Sequence, residues 1–262
     1  LEKAGAGNYF TQVAFALLGH YRGGPAKAAV VSSGMNGMIS GSSIANVVIT
    51  GTFTIPLMKK VGFSNEKAGA VEVAASPNGQ LMPPIMGAAA FLMIEYVGIS
   101  YLEVIKHAFL PAVISYIALV YIVHLEAMKA DLKGLMPRKV TTVLQKIITF
   151  LMVIIGMVIL SGVIYFGFGW IKSVTGEASP WIAGILILTV YVVLIRYSIR
   201  FPDLEIDDRS IELTVLPETG PTVKSGLHYL LPVVVLIWCL MVERFSPGLS
   251  AFWATMIMLF IL

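Results

Sequence analysis

Long apolar runs separated by short polar segments dominate the chain. No charged residue occurs from Ala28 to Met58 or from Val73 to Ile94. A helix needs about 20 mainly apolar residues to cross a bilayer. Further crossings are predicted for Leu102–Val123, Val143–Trp170, Trp181–Ile195 and Leu227–Val242, with a new run starting at Ala251. The pattern therefore predicts an all-α polytopic membrane protein.

The first charge-free run is interrupted at its centre. Residues Gly37–Asn46 are rich in Gly, Ser and Asn, which helix interiors avoid. The two apolar arms on either side, Ala28–Ile39 and Ile44–Met58, are each too short to cross a bilayer, and lysines stand at both outer ends. We therefore predict a re-entrant helical hairpin over residues 26–60, which enters and leaves by the same face. A single kinked helix is the alternative.

The second charge-free run also contains helix breakers. Ser76-Pro77-Asn78-Gly79 and then Pro83-Pro84 interrupt it, which predicts one broken transmembrane helix over residues 65–97. Exposed backbone at membrane depth is tolerated only where it is buried in protein or lines a cavity. Two interrupted helices of this kind are typical of the binding site of a transporter.

Lysine and arginine lie almost entirely on one side of the predicted topology. Three basic residues lie on the other side: Lys106, Lys172 and Arg244. Fourteen share the first side: Arg22, Lys27, Lys59, Lys60, Lys67, Lys129, Lys133, Arg138, Lys139, Lys146, Arg196, Arg200, Arg209 and Lys224. This bias appears only if the first element is a hairpin. Because cytoplasmic loops carry the excess of basic residues, we predict a multi-pass protein of the bacterial inner membrane whose hairpin opens from the cytoplasm.

Composition supports a membrane protein and excludes other classes. The 262 residues are 57% hydrophobic and 13% charged, against about 25% charged in soluble domains. A net charge of +3 gives no basic surface for nucleic acid. The single cysteine, Cys239, excludes an intrachain disulfide, and we predict that it is packed or faces lipid.

The interrupted helices offer oxygen ligands without fixed charge. Unwound carbonyls and helix ends can hold ions, and the first run adds neutral oxygens from Ser40, Ser42, Ser43 and Asn46. A divalent ion would normally recruit carboxylates, which residues 28–58 lack. The residue types therefore favour a monovalent cation such as sodium. The alternative is that the small residues only permit close helix packing.

Three stretches in the first half form long, specific motifs. They are SGSSIANVVITGTFTIPLMKKVGF from Ser40, AGAVEVAAS from Ala68 and NGQLMPPIMGAAAFLMIEY from Asn78. Together they resemble the large membrane subunit of TRAP transporters, the tripartite ATP-independent periplasmic transporters. The likeness is strongest to the fused permeases that work with TAXI-type binding proteins. It covers about residues 1–137 and resumes more weakly at residues 228–252.

The resemblance implies an inverted-repeat fold with an elevator mechanism, in which a transport domain carries substrate past a static scaffold. It implies sodium-coupled import of an organic anion (a carboxylate, dicarboxylate or amino acid), with sodium as coupling ion and no other cofactor. The expected partners are a periplasmic solute-binding protein, a small membrane subunit that is separate or fused, and the lipid bilayer. By the same resemblance, one sodium site is expected at Gly41, Ser42, Ser43, Asn46, Ser76, Asn78 and Gly79.

The resemblance also suggests how the chain is organised. Residues 1–137 are expected to form half of the transport domain, with the hairpin and the broken helix. Residues 138–225 are expected to be an inserted pair of transmembrane helices with a polar cytoplasmic loop, and residues 226–262 the truncated start of the next repeat. The first residue is Leu1 rather than Met, and the last apolar run is short, so we predict an internal piece of a longer protein.

Three other interpretations compete with a sodium-coupled permease. An enzyme is not expected, because the aspartates lie in predicted loops, the histidines are isolated and no base lies near Ser42 or Ser43. An ion channel is the less favoured alternative, since re-entrant loops also build selectivity filters. A proton-coupled permease would use Glu72 as its proton carrier. Otherwise Glu72 and Glu95 are expected to be solvated near the two membrane interfaces.

Overall fold

The computed structural model describes residues 5–82, 86–135, 162, 166–167, 169–171, 173–201, 216–243 and 245–261. Within these residues all regular secondary structure is helical. The α-helices are α1 (Ala6–Leu18), α2 (Gly24–Ser40), α3 (Ser43–Lys60), α4 (Asn65–Leu81), α5 (Ala88–Val97), α6 (Tyr101–Lys129), α7 (Ser179–Ser198), α8 (Thr219–Ser225), α9 (Leu231–Met241) and α10 (Pro247–Ile261). The predicted all-α class is confirmed.

Two described helices are long and apolar enough to cross a membrane. They are Tyr101–Lys129 and Trp181–Ser198, and Thr219–Ser225 with Leu227–Leu240 makes a third candidate if the two form one span. The predicted crossing Val143–Trp170 lies almost entirely outside the described residues. Most of the polar loop predicted after Trp181–Ile195, residues 202–215, also lies outside them.

The described helices form two compact units. The first contains α1–α6 and α8, and the second contains α7 up to Tyr197 together with α9 and α10. In the second unit, Ala183 and Ile187 of α7 pack against α9, where Cys239 is fully buried. Cys239 is therefore a packed apolar residue. The predicted division into transport domain, insertion and next repeat stays a prediction.

Helices α2 and α3 form the predicted hairpin. Gly41 turns the chain with a left-handed backbone (φ 58°), and its N–H donates to the Gly37 carbonyl at 3.0 Å. The Ser42 hydroxyl then caps α3 by accepting a hydrogen bond from the Ala45 N–H at 3.3 Å. The arms are longer than predicted, since α2 already begins at Gly24, where Pro25 suits the first turn of a helix. The direction of the hairpin relative to a bilayer stays a prediction.

Helix α4 corrects the predicted position of the first break. It runs through Ser76–Gly79 without interruption and ends at Leu81, and α5 begins at Ala88 on the far side of the Pro83-Pro84 pair. Pro77 is tolerated because it lies on the exposed side of α4, so the hydrogen bond that it removes faces away from the packed interior. The predicted break at Ser76–Gly79 is wrong, and the chain leaves the helix only after Leu81.

Contacts near the end of α6 join the ends of several helices. Helix α6 continues beyond the predicted crossing Leu102–Val123 to Lys129, because Val123 and Ala127 are buried beside Phe63 and Leu132. Beyond it, the Leu135 N–H donates to the Gly19 carbonyl at 3.0 Å. Two ion pairs link the same region: Arg22 with Asp131 at 3.5 Å, and Lys67 with Glu126.

Candidate functional site

The hairpin and α4 cross where two glycines meet. An ideal Cβ built on Gly37 would lie 2.3 Å from the Gly79 Cα and 2.6 Å from its carbonyl carbon and oxygen. Because those neighbours are backbone atoms, no change of side-chain rotamer could make room. The two helices therefore contact each other directly through their main chains, as the close-packing alternative predicts for Gly37.

Asn46 of α3 lies at this crossing and is fully buried. Its amide nitrogen donates to the carbonyl and to the hydroxyl of Ser33 in α2, both at 2.8 Å. Only the NH₂ end of an amide can face a carbonyl oxygen, so these bonds fix its orientation. The Oδ1 atom is buried and accepts no hydrogen bond within the described part of the chain. Gly79 makes room for the amide, since a Cβ there would lie 2.6 Å from Nδ2.

A carboxyl group lies one turn further along the same helix pair. Glu72 of α4 is fully buried, so the interfacial solvation expected for it is wrong. The hydroxyls of Thr50 and Thr54 in α3 both hydrogen-bond to its carboxyl oxygens. Gly51 provides space, since a Cβ there would lie 3.2 Å from the Glu72 Cγ. Glu95, by contrast, is exposed, and its solvation near a membrane interface stays a prediction.

The structure brings together only part of the predicted sodium-site set. Asn46 and Gly79 meet, as described, whereas Gly41 and Ser42 form the turn and Ser43 begins α3. The remaining two residues of the set lie on α4 and bind elsewhere. The Ser76 hydroxyl donates to the Glu72 carbonyl at 3.0 Å, and the Asn78 amide oxygen accepts from Ser115 of α6 at 2.7 Å.

Sequence reasoning missed three residues that line this crossing. They are Ser33, Thr50 and Thr54, each fully buried. A signal for two of them was present, because Asn46, Thr50 and Thr54 follow one another at intervals of four residues and therefore share one helix face. Among the described residues, no three of the metal-binding types His, Cys, Asp and Glu cluster together.

An apolar groove of about 610 Å³ separates α2 from α6. Lys27 and His124 stand at one end, with Lys27 Nζ 3.0 Å from His124 Nδ1. The other lining residues are Val31, Gly34, Met35, Met82, Tyr116, Ile117, Val120 and Tyr121. The Tyr116 hydroxyl is buried against Gly34, and in the described residues it has no hydrogen-bond partner.

Replacing Tyr116 with phenylalanine tests this view of the hydroxyl. Removing a buried hydroxyl that makes no hydrogen bond loses nothing in the folded state and removes a desolvation penalty of about 1–3 kcal/mol. We therefore expect Tyr116→Phe to leave the free energy of unfolding unchanged or to raise it by about 1 kcal/mol, as measured by denaturant or thermal unfolding in detergent. A loss above about 1 kcal/mol would show that the hydroxyl has a partner.

Comparison with known proteins identifies the family. The sequence profile described as "Tripartite ATP-independent periplasmic transporter, DctM component" matches residues 1–198. The chain belongs to the DctM family. The match confirms the predicted resemblance to the TRAP large permease subunit, and it extends to residue 198, into the region predicted to be an insertion. The likeness to TAXI-type permeases and the weaker one at residues 228–252 stay predictions. The family is one of transporters, which agrees with the prediction that the chain is not an enzyme.

Curated relatives come from the same family. The chain is 39% identical over 84 residues to the C4-dicarboxylate TRAP transporter large permease protein DctM of Vibrio cholerae, a match covering 32% of this chain and 18% of that protein. It is 31% identical over 87 residues to the ectoine TRAP transporter large permease protein TeaC of Halomonas elongata, covering 33% and 20%. The aligned part thus spans about a fifth of each relative's length.

Proposed function

We propose that this chain is part of a secondary active permease of the bacterial inner membrane that imports an organic anion and is driven by sodium. The family supports a transporter in general, and the two named relatives are permeases for a C4-dicarboxylate and for ectoine. From these names we infer a small polar organic substrate, most simply a carboxylate, dicarboxylate or amino acid. The specific substrate would be selected together with the binding protein.

The observation that supports sodium coupling is the Asn46 Oδ1 atom, which is buried and accepts no hydrogen bond within the described residues. A buried oxygen without a donor costs about 1–3 kcal/mol, and cation binding would offset that cost. The group is a neutral amide oxygen held in a fixed direction by Ser33. Hard cations prefer oxygen ligands, and a neutral site suits a monovalent ion. We infer that Asn46 and the nearby end of α2 supply ligands, while Gly79 makes room for the amide.

The partners and the mechanism are inferred from the family. We propose that a periplasmic solute-binding protein of the TAXI type delivers the substrate and that a small membrane subunit completes the assembly. We further propose that the first unit moves as an elevator within an inverted-repeat fold. The main-chain contact between Gly37 and Gly79 supports this motion, because it binds the hairpin and α4 into one body. A proton-driven permease and a channel are the alternatives.

Uptake in proteoliposomes tests the proposal. We would reconstitute the complete permease with its binding protein and follow labelled dicarboxylates and amino acids with and without an inward sodium gradient. Asn46→Ala is expected to lower sodium-driven uptake at least tenfold, because it removes the unpartnered oxygen. Asn65→Ala, the same change at the exposed start of α4, is the matched control and should retain wild-type uptake.

Three results would contradict this assignment. Uptake that ignores sodium but follows an imposed proton gradient would replace sodium coupling by the proton-driven alternative. Passive uptake that needs neither gradient nor binding protein would favour a channel. Sodium-driven uptake that survives in Asn46→Ala would move the ion site away from the crossing.

A further inference from the structure

We propose that the Glu72 carboxyl is a proton-binding site, linked through the Thr50 hydroxyl to the cation site at Asn46. The inference rests on the proposed sodium site and adds a second ligand, the proton. It predicts that sodium binding at the crossing displaces a proton from Glu72.

Two hydroxyl groups share four hydrogen-bond contacts at this site. Thr50 Oγ1 lies 2.8 Å from the Asn46 carbonyl oxygen and also contacts Glu72. Thr54 Oγ1 lies 2.9 Å from the Thr50 carbonyl oxygen and also contacts Glu72. Each hydroxyl has a single proton to donate, so an ionised Glu72 leaves two protons for four contacts. A protonated Glu72 supplies a third proton. One of the two threonine hydroxyls can then donate to the main-chain carbonyl that it contacts while it accepts a hydrogen bond from the Glu72 carboxyl.

Within the described residues, no basic side chain pairs with Glu72. An ionised carboxylate buried without a cation is so costly that such groups usually take up a proton instead. On the helices packed around it, the described charged groups are engaged elsewhere or exposed. Lys27 contacts His124, and Lys67 pairs with Glu126. Lys59 and Lys60 lie exposed at the end of α3, and Glu66 is exposed at the start of α4.

Thr50 connects the carboxyl to the proposed ion site. It follows Asn46 by one helical turn, and its hydroxyl contacts both the Asn46 main-chain carbonyl and the Glu72 carboxyl. A cation at the Asn46 oxygen favours the ionised form of a nearby carboxyl. When sodium binds, the carboxyl O–H bond breaks, the proton passes to water, and the Thr50 hydroxyl turns from the Asn46 carbonyl towards the carboxylate. Because linkage is reciprocal, a proton on Glu72 weakens sodium binding.

Sodium titrations of the purified complete permease between about pH 5.5 and 8.5 test this linkage. If one proton is exchanged for one sodium ion, the affinity for sodium should rise about tenfold per pH unit as long as Glu72 is protonated in the sodium-free protein. At higher pH, where Glu72 is already ionised, the affinity should become constant. Glu72→Gln should remove the pH dependence and hold the affinity at its low-pH value. Glu66→Gln is the matched control, because it removes an exposed carboxylate from the same helix. Calorimetry in buffers of different ionisation enthalpy should report up to one proton released per sodium ion.

Further variants separate this inference from the sodium site itself. Thr50→Val should weaken the pH dependence, Thr50→Ser should keep it, and Thr52→Val on the exposed face of α3 should change nothing. They also provide the test if Glu72→Gln does not fold. Wild-type pH dependence and proton release in Glu72→Gln, or in Thr50→Val where Glu72→Gln does not fold, would overturn the linkage and leave the sodium site standing. Absence of sodium binding in the wild type at every pH would overturn the proposed site and this inference together.

Discussion

Replacing Gly37 with leucine is expected to separate the hairpin from α4 and abolish uptake. A Cβ at this position would already lie 2.3 Å from the Gly79 Cα, and leucine adds three more carbon atoms. Overpacking commonly costs about 1–3 kcal/mol, and here the obstacle is backbone that cannot rotate away. We expect a loss near the upper end of that range, measured as a lower unfolding midpoint of the permease in detergent.

A second glycine provides the matched control for this change. Gly69 lies in α4, and a Cβ there would meet nothing within 4 Å. Alanine is a better helix former than glycine by about 1 kcal/mol, so Gly69→Ala should keep uptake and raise the unfolding midpoint slightly. If Gly37→Leu melts and transports like the wild type, the two main chains do not meet at this point.

Asn46→Asp should produce a protein whose stability depends on sodium and on pH. The change keeps the shape of the side chain but places an oxygen where the NH₂ group donates to Ser33. Losing donors to buried acceptors costs about 1–3 kcal/mol each, and more for a charged group. Without sodium, the introduced carboxyl is stable only when protonated, so stability is greatest at low pH and falls as pH rises. At neutral pH, sodium should restore it by acting as a counter-ion.

Two further variants sharpen this test. Asn46→Leu loses the same hydrogen bonds but gains no charge, so neither sodium nor low pH should rescue it. Asn65→Asp introduces a carboxyl at the exposed start of α4 and should respond to neither. The readout is the thermal unfolding midpoint in sodium chloride against choline chloride. Equal destabilisation of Asn46→Asp in both salts would mean that no cation reaches the Asn46 position.

The hairpin was predictable because two independent signals in the sequence agree. A charge-free run with Gly and Ser at its centre predicts two helical arms. The basic residues before and after this run fall on the same side as the later basic loops only if the run enters and leaves the membrane by one face. The break in α4 was less predictable, since Pro77 and Gly79 both disfavour helices. In the structure, Pro77 faces outward and Gly79 serves close packing. Helix propensity gives the free-energy cost of placing these residues in a helix. It does not include the tertiary contacts that offset this cost.

Only part of the polar site could be predicted from the sequence, for a related reason. Glu72 follows Lys67 closely in sequence, which suggested a position at the membrane surface. The environment of a helical residue, however, depends on the direction of its side chain as well as on its depth in the membrane. The Glu72 side chain points into the α3–α4 interface. The four-residue spacing of Asn46, Thr50 and Thr54 could have identified a polar face. The contact between Ser33 and Asn46 could not have been inferred, because it depends on how the hairpin arms are turned towards each other.

The contact between Gly37 and Gly79 also bears on ion size. A wall made of side chains can widen when a larger ion enters, because rotamers change at low cost. Here the Asn46 amide is held between a backbone carbonyl on one side and a glycine main chain on the other. Neither neighbour has a torsion that could make room. The amide is therefore held in one position, and its Oδ1 atom could not shift to follow cations of different radius.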